Sequence, residues 1–360
     1  MQKERLAWID IARGFGICLI VLGHVNQYCG PRIVYNYIYS FHVPLFFLIS
    51  GLVFSVASPP KEFFFKKIRT LLIPFFVFAY LSMLVFYITT DGLGIDLPFR
   101  YQLYHPIWKA ALNVIYGSTI QGHLFANTPL WFLPCIFALQ AIYYPIEKYL
   151  IKKYNWGVYG HISLGVLVFL IVSMIPLPDM PFSMSQALHM LPFFALGRVI
   201  GCTPSLLKTG AKRQEIPLAL LLIAAGFCLS LKEAHSPSVS TNMYLYYAFD
   251  MFKAAISCTG WILLLRHWKN RNEAFIYLGK NTTGILCLHK LPILFLQAWP
   301  LTVTIFKPPF WEAASTAEAV LTTLITLIAA ALCILLCVAA GELIKRFCPI
   351  ILGLKKAKKA

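Results

Sequence analysis

The first long apolar stretch of the sequence, residues 9–28, contains three ionisable side chains: Asp10, Arg13 and His24. A charge at the centre of a bilayer is costly, so such residues normally face a bundle interior or a wet cavity. On a helix, Arg13 and His24 fall within about 20° of one face and about 16 Å apart along the axis. Asp10 lies within about 60° of that face. One side of this helix therefore carries a cation near one end and an imidazole near the other.

This arrangement indicates an anion site connected to a general acid or base. A guanidinium binds phosphates and carboxylates, and an imidazole exchanges protons near working pH. A plainer interpretation is also open. Asp10 and Arg13 would then form an ion pair that anchors the helix end, and His24 would be a packing residue.

Three further polar residues are expected at the depth of His24. They are His42 in "YSFHVPLFFLISG", Trp131 in "PLWFLP" and His289 in "LGKNTTGILCLHKLP". Trp131 also fits the aromatic belt that marks a membrane interface. Three histidines at one depth raise the alternative of a metal site. No helical ligand spacing such as HExxH accompanies them, so the sequence favours no metal.

The rest of the chain must supply the elements that position these residues. It has 360 residues, of which 59% are hydrophobic and only 12% are charged, about half the charge of a soluble domain. Ten apolar stretches are long enough to cross a bilayer. They are residues 9–28, 37–57, 68–90, 129–147, 158–176, 186–202, 215–232, 245–265, 274–298 and 318–344. We therefore predict an all-α, polytopic membrane bundle of about ten transmembrane helices, with the shorter stretch 107–117 at the interface.

The net charge of +17 is explained by topology rather than by nucleic acid. Lys and Arg cluster at both termini and in alternate connections between the apolar stretches, and basic residues stay in the cytoplasm. An even number of spans also places both termini on one side. Both termini are thus predicted to be cytoplasmic, in the cell inner membrane, and no nucleic-acid partner is expected. The bilayer itself is the expected environment.

The sequence also predicts how the chain is organised. Residues 1–360 are expected to form a single integral-membrane domain, with no appended soluble domain. The longest connection, residues 91–128, is too short for a separate catalytic domain, so any chemistry must lie among the helices or under this loop. The ten cysteines form no CxxC pair and are expected to be free thiols.

Two further groups of intramembrane charges are expected. Asp250 and Lys253 have the spacing of an ion pair on one helix. Arg198, near the inner end of its apolar stretch, fits either a snorkelling residue or a second anion contact.

Several of these segments also resemble a known family. "IDIARGFGICLIVLGHV", "FHVPLFFLISG", "PLWFLPCIFALQ" and "LGKNTTGILCLH" occur in this order. They are similar to the motifs of the acyltransferase-3 family of integral-membrane O-acyltransferases, and most of all to its fucose 4-O-acetylase-like branch. The resemblance extends over essentially the whole chain, and its most specific element is Arg13 followed by His24 after ten intervening residues.

The resemblance implies that acyl-CoA, usually acetyl-CoA, donates an acyl group to a hydroxyl of an extracytoplasmic polysaccharide or lipid-linked glycan. It requires no cofactor besides this donor. His24 would be the catalytic base, grouped with Asp10, and Arg13 would contact the phosphates of CoA. A second basic motif of the family corresponds to Lys66 and Arg69, where Lys66 replaces an Arg and loses its bidentate fork.

The residues of the acceptor side are proposed from their common depth with His24 and not from the resemblance. His42, Trp131 and His289 would bind the sugar or stabilise the oxyanion. Direct transfer and an acyl-His24 intermediate both remain open. Among other classes, a transporter or flippase of glycan precursors is the main alternative, because intramembrane charges also mark substrate paths. An acyltransferase with a lipid acceptor and a metal-dependent membrane hydrolase are two more.

Overall fold

A computed structural model of the chain describes residues 6–94, 106–118, 123–203, 213–231, 243–268, 272–298 and 315–355. Within these ranges the secondary structure is helical, without strands. The α-helices are α1 (Ala7–Cys29), α2 (Arg32–Leu52), α3 (Pro60–Lys67), α4 (Ile73–Tyr87), α5 (Ile107–Tyr116), α6 (Phe132–Pro145), α7 (Gly157–Met174), α8 (Met184–Cys202), α9 (Glu215–Ser230), α10 (Met243–Leu265), α11 (Glu273–Lys280), α12 (Thr282–Leu288), α13 (Lys290–Ala298) and α14 (Thr316–Phe347). The predicted all-α class is confirmed.

Seven helical segments in the described part of the chain are long and apolar enough to cross a membrane. They are Ala7–Cys29, Arg32–Leu52, Pro60–Gly92, Phe125–Ile151, Gly157–Met174, Tyr247–Leu265 and Thr316–Phe347. Helix α8 and the shorter apolar segments Glu215–Ser230 and Thr282–Leu294 occupy the other three predicted positions. The protein is a multi-pass membrane protein, while the count of ten and the orientation of the termini stay predictions.

The ninth predicted span differs from the prediction of one continuous helix. Residues 274–298 are divided into α11, α12 and α13, with a backbone break at Asn281 and only an interruption of the hydrogen-bond pattern at His289, whose backbone stays helical. Asn281 ends α11 by turning its amide back to donate to the Tyr277 carbonyl (2.9 Å). Short polar side chains compete in this way with the helical backbone. Apolar composition alone does not reveal such a break, because the surrounding protein satisfies the freed backbone groups.

Two glycines allow helices to approach each other closely. A Cβ on Gly279 of α11 would overlap the carbonyl oxygen of Asp10 on α1, and one on Gly51 of α2 would overlap that of Phe194 on α8. Small residues permit such backbone contact between membrane helices. Gly51 thus allows α2 to lie against α8, and Gly279 fixes α11 against the beginning of α1.

The apolar interior consists of two main clusters. One is centred on α2, α6 and α8, with Phe41, Phe47, Tyr143 and Phe194 at its core. The other is built mainly from α1, α4, α12 and α14. Phe132, at the start of α6, packs against both.

Two smaller predictions are also confirmed. All ten cysteines are free thiols, although Cys202, Cys228 and Cys348 are exposed rather than buried. Lys253 is 1% exposed, and its Nζ lies 2.9 Å from Asp250 Oδ1. This ion pair lies within α10.

Candidate functional site

A cavity of about 440 Å³ opens at the end of the bundle where α1 begins. Four cations line its mouth: Arg13, Lys66, Lys67 and Lys280. Its described lining contains neither Asp nor Glu. We call this end of the bundle, defined by those four residues, the basic end. A cavity lined by one sign of charge attracts ligands of the opposite sign, so the basic end is suited to a polyanion.

Local helix geometry places the lysines at this mouth. Helix α3 finishes with Lys66 and Lys67, and a π-helical turn, Ile68–Leu72, connects it to α4. Thr70 Oγ1 donates to the Lys66 carbonyl (2.9 Å), and Thr70 also lines the cavity. Single π-helical turns often occur at functional sites. Such a turn changes which side chains lie on a given face of the helix. Lys280 is the last residue of α11, next to the close contact at Gly279.

Of the three predicted phosphate contacts, two line the cavity. Arg13 and Lys66 line the cavity, whereas Arg69 does not appear among its described lining residues. Arg69 lies on the π-helical turn, with its carbonyl against Gly353. Lys67 and Lys280 occupy the cavity instead. The signal for them was present in the sequence, since Lys67 adjoins Lys66 and Lys280 belongs to the segment "LGKNTTGILCLH".

Asp10 lies with Arg13 rather than with His24. Asp10 is 2% exposed, and its Oδ1 is 3.7 Å from Arg13 Nη1. Fourteen residues of one helix, about 21 Å along the axis, separate it from His24. Asp10, which the sequence analysis grouped with His24, therefore lies at the basic end instead.

The deep end of the cavity is apolar. Ile20, Phe46, Phe132 and Leu286 line it, and the rings of Phe46 and Phe132 meet edge to face at 5.8 Å between centroids. We call these four residues the apolar layer. On their segments, these four residues lie farthest from the basic end among the residues that line the cavity.

The three predicted histidines lie just beyond the apolar layer. Each histidine is three or four residues along the chain from one residue of the apolar layer. Residues with this spacing in a helix lie on the same face, about one turn apart. The pairs are Ile20 with His24, Phe46 with His42, and Leu286 with His289. The rings of His24 and His289 are 5.2 Å apart. The common depth predicted for these residues is observed, and we call them the histidine cluster.

Tyr39 connects two members of the histidine cluster. Its Oη is 3.0 Å from His24 Nδ1, and its ring lies edge to face against His42, 4.8 Å between centroids. Tyr35 stacks on the other side of Tyr39 at 3.9 Å. Tyr39 therefore orients the His24 ring, a role that sequence reasoning missed.

His289 lies at the junction of α12 and α13. Its Nδ1 lies 3.1 Å from the Ile285 carbonyl and 2.9 Å from the Leu286 carbonyl. Because a carbonyl only accepts, Nδ1 carries the proton and Nε2 of the neutral ring has a free lone pair. This Nε2 is buried and has no hydrogen-bond partner. The next residue, Lys290, donates to Tyr28 Oη (3.0 Å).

The same reasoning assigns the protons of His42. Its Nδ1 is 2.8 Å from the Ile38 carbonyl, so Nδ1 donates and Nε2 is the acceptor in the neutral ring. Two of the three imidazoles are thus oriented by backbone carbonyls.

Trp131 lies beside the apolar layer. It is partly buried and packs against both main apolar clusters, with its ring 6.3 Å from that of Phe132. The short 3-10 helix Phe125–Trp131 positions it at the start of α6.

Arg198 is neither a snorkelling residue nor an anion contact. It is 6% exposed, and its Nε and Nη2 donate to the two carboxylate oxygens of Glu147 at 2.8 and 2.7 Å. Its Nη1 donates to the Phe54 carbonyl (2.8 Å). A guanidinium that is already paired in this bidentate way has a structural role.

Within the ranges that the structure describes, no group of three or more His, Cys, Asp or Glu side chains could hold a metal ion.

The chain matches a known protein family over most of its length. A family model described as an acyltransferase domain matches residues 6–342, which include every residue of the basic end, the apolar layer and the histidine cluster. No curated protein and no solved structure matches the chain.

Proposed function

This chain belongs to the acyltransferase-3 family and is a membrane acyltransferase, and from that premise we propose that it transfers an acetyl group from acetyl-CoA to a sugar hydroxyl. The acceptor is an extracytoplasmic polysaccharide or a lipid-linked glycan, as in the fucose 4-O-acetylase-like branch. No cofactor besides the donor is required.

The observation that carries this proposal is the cavity at the basic end. Coenzyme A is a polyanion, because its nucleotide carries several phosphates, and four cations surround the cavity mouth without a carboxylate among the described lining residues. Charge-assisted hydrogen bonds to phosphate are stronger than neutral ones. Arg13, Lys66, Lys67 and Lys280 are thus the proposed phosphate contacts, and Asp10 positions Arg13.

The thioester reaches the histidine cluster through the apolar layer. Arg13 and His24 lie about 16 Å apart along α1, a distance that the flexible arm of CoA can cover. The arm and its acyl end are uncharged, so they are compatible with the side chains of Ile20, Phe46 and Leu286. Rotation of these side chains opens the path, and such rotations are fast.

At the histidine cluster, the chemistry is a base-assisted acyl transfer. His24 accepts the proton of the sugar hydroxyl at Nε2, while Nδ1–H donates to Tyr39 Oη and holds the ring in place. The sugar oxygen forms a bond to the thioester carbonyl carbon, and the C–S bond breaks with CoA thiolate as the leaving group. The thiolate then takes the proton from His24. His289 Nε2 and His42 Nε2 accept hydrogen bonds from neighbouring hydroxyls, and Trp131 completes the acceptor site.

The distribution of Lys and Arg supports the orientation of the reaction. We place both termini and the basic end in the cytoplasm, where acyl-CoA is available, with the protein in the cell inner membrane. The histidine cluster then faces outward, toward the glycan. A broken helix of the kind formed by α11, α12 and α13 also occurs in transporters, so a flippase is the alternative to be tested.

Inverted membrane vesicles carrying the wild-type protein or His24→Ala test this proposal. With labelled acetyl-CoA and a glycan acceptor inside, we expect CoA release and labelled glycan from the wild type. His24→Ala should lower the rate about 100- to 10,000-fold, since that is the usual contribution of a general base. His189→Ala, a partly buried histidine outside the cluster, is the matched control. Labelling that persists in His24→Ala refutes its role as the base, and no turnover in any vesicle favours the flippase.

A further inference from the structure

The cavity contains one buried polar side chain with an unused hydrogen-bonding atom. Gln140 on α6 lines the cavity and is 5% exposed. Its Oε1 is buried without a hydrogen-bond partner. Buried polar atoms in folded proteins are nearly always paired, so an unpaired one inside a ligand cavity indicates a missing partner.

Helix geometry places Gln140 between the basic end and the apolar layer. Phe132, Ile136 and Gln140 are spaced by four residues and line one side of α6. Gln140 lies about 12 Å from Phe132 along the axis, and its side chain leans back toward the start of the helix, hence toward the apolar layer. The terminal torsion of Gln is soft, so the amide can turn into the cavity.

The neighbouring groups define the chemistry of the missing partner. Ser50, Thr282 and Thr283 line the same cavity, so uncharged polar groups surround its middle. An amide oxygen accepts a hydrogen bond and has no affinity for a phosphate oxygen, which is itself an acceptor. The partner of Gln140 Oε1 is therefore a hydrogen-bond donor, and an uncharged N–H group meets this requirement.

We propose that Gln140 Oε1 accepts a hydrogen bond from an amide N–H of the pantetheine arm of acyl-CoA, an inference that rests on the proposed function. The arm connects the phosphates to the thioester and carries the amide groups of the donor. Gln140 thus recognises the arm, while the four cations recognise the phosphates. This second contact distinguishes an acyl-CoA from a nucleotide that has the same phosphates without the arm.

Calorimetric titration of the purified full chain tests this assignment with two ligands. One is acetyl-CoA; the other is adenosine bisphosphate, which carries phosphates but lacks the arm. Gln140→Leu should weaken acetyl-CoA binding about 5- to 20-fold, the effect of losing one neutral hydrogen bond with its buried partner. Its affinity for adenosine bisphosphate should match the wild type. Gln214→Leu, an exposed glutamine before α9, should change neither affinity.

Each other outcome contradicts the assignment in a distinguishable way. If Gln140→Leu binds acetyl-CoA as tightly as the wild type does, Gln140 does not contact the arm. The proposed function is then unaffected. Equal loss of both ligands shows that Gln140 supports the cavity as a whole and does not contact the arm. If the wild type binds neither ligand, the donor site itself is refuted, and this inference with it.

Discussion

The imidazole rings of His24 and His289 lie 5.2 Å apart, inclined by 35°, although they come from opposite ends of the chain. His24 is oriented by the hydroxyl of Tyr39, and His289 by two backbone carbonyls. In the proposed reaction, His24 Nε2 removes the proton of the sugar hydroxyl while His289 Nε2 holds a neighbouring hydroxyl.

Removing the hydroxyl of Tyr39 should slow the chemical step. Tyr39→Phe keeps the ring that stacks on Tyr35 but loses the atom 3.0 Å from His24 Nδ1. We expect kcat to fall about 10- to 100-fold, as for other losses of an orienting partner, with the KM for acetyl-CoA unchanged. Steady-state kinetics on purified protein measure both. Tyr80→Phe, which loses a long hydrogen bond to Ala111, is the control, and equal kinetics in the two variants would contradict the orienting role.

Substitution of His289 should weaken the binding of the glycan acceptor. His289→Leu removes the free Nε2, so the KM for the glycan should rise about 10-fold, the effect of one lost hydrogen bond with its buried partner. The KM for acetyl-CoA should stay within about twofold. Varying each substrate at saturation of the other separates the two constants. An increase confined to the KM for acetyl-CoA would place His289 on the donor side and refute the assignment.

Loss of a cation at the basic end should weaken donor binding more than loss of Arg69, which lies outside the basic end. Arg13→Ala should raise the KM for acetyl-CoA about 10- to 100-fold, because a charge-assisted contact to phosphate is lost. Lys280→Ala should act in the same direction, and Arg69→Ala should change it less than about threefold, since Arg69 is outside the described lining of the cavity. Raising the ionic strength should weaken donor binding. A larger effect of Arg69 than of Arg13 would contradict the structural placement.

The pair of Arg198 and Glu147 should matter for stability and not for donor binding. Arg198→Met leaves Glu147 as a buried charge without its bidentate partner, which costs about 3–5 kcal/mol. The double variant Arg198→Met/Glu147→Leu should recover most of this loss. Thermal unfolding in detergent reports the change, and acetyl-CoA titration should give wild-type affinity for the folded double variant. A weakened affinity there would restore Arg198 as an anion contact.

The sequence predicted the helical class and the helix positions well, because apolar runs of bilayer length leave few alternatives. It also predicted that Arg13 and His24 share a helix face, since that follows from helix geometry alone. The break at Asn281 was missed because hydropathy averages over a window, and the short polar group at residues 280–283 lies between two strongly apolar runs.

The parts of the site that depend on contacts between distant segments were also missed. Tyr39 acts on His24 only because α1 and α2 pack side by side, and no motif in "NYIYSFHV" reveals this. Lys280 reaches the cavity because Gly279 brings α11 onto α1. Gln140 stands in a quoted segment, but its unpaired oxygen is a property of the assembled cavity.

The apolar layer of Ile20, Phe46, Phe132 and Leu286 also has an electrical consequence. Moving one elementary charge through a membrane voltage of 100 mV involves about 2.3 kcal/mol, and a water-filled cavity would conduct, so the voltage would fall mainly across the apolar layer at its end. In the proposed reaction, the neutral thioester would cross this layer without electrical work, whereas the phosphates would stay in the cavity. The proposed transfer would therefore leave the cell's ion gradients intact.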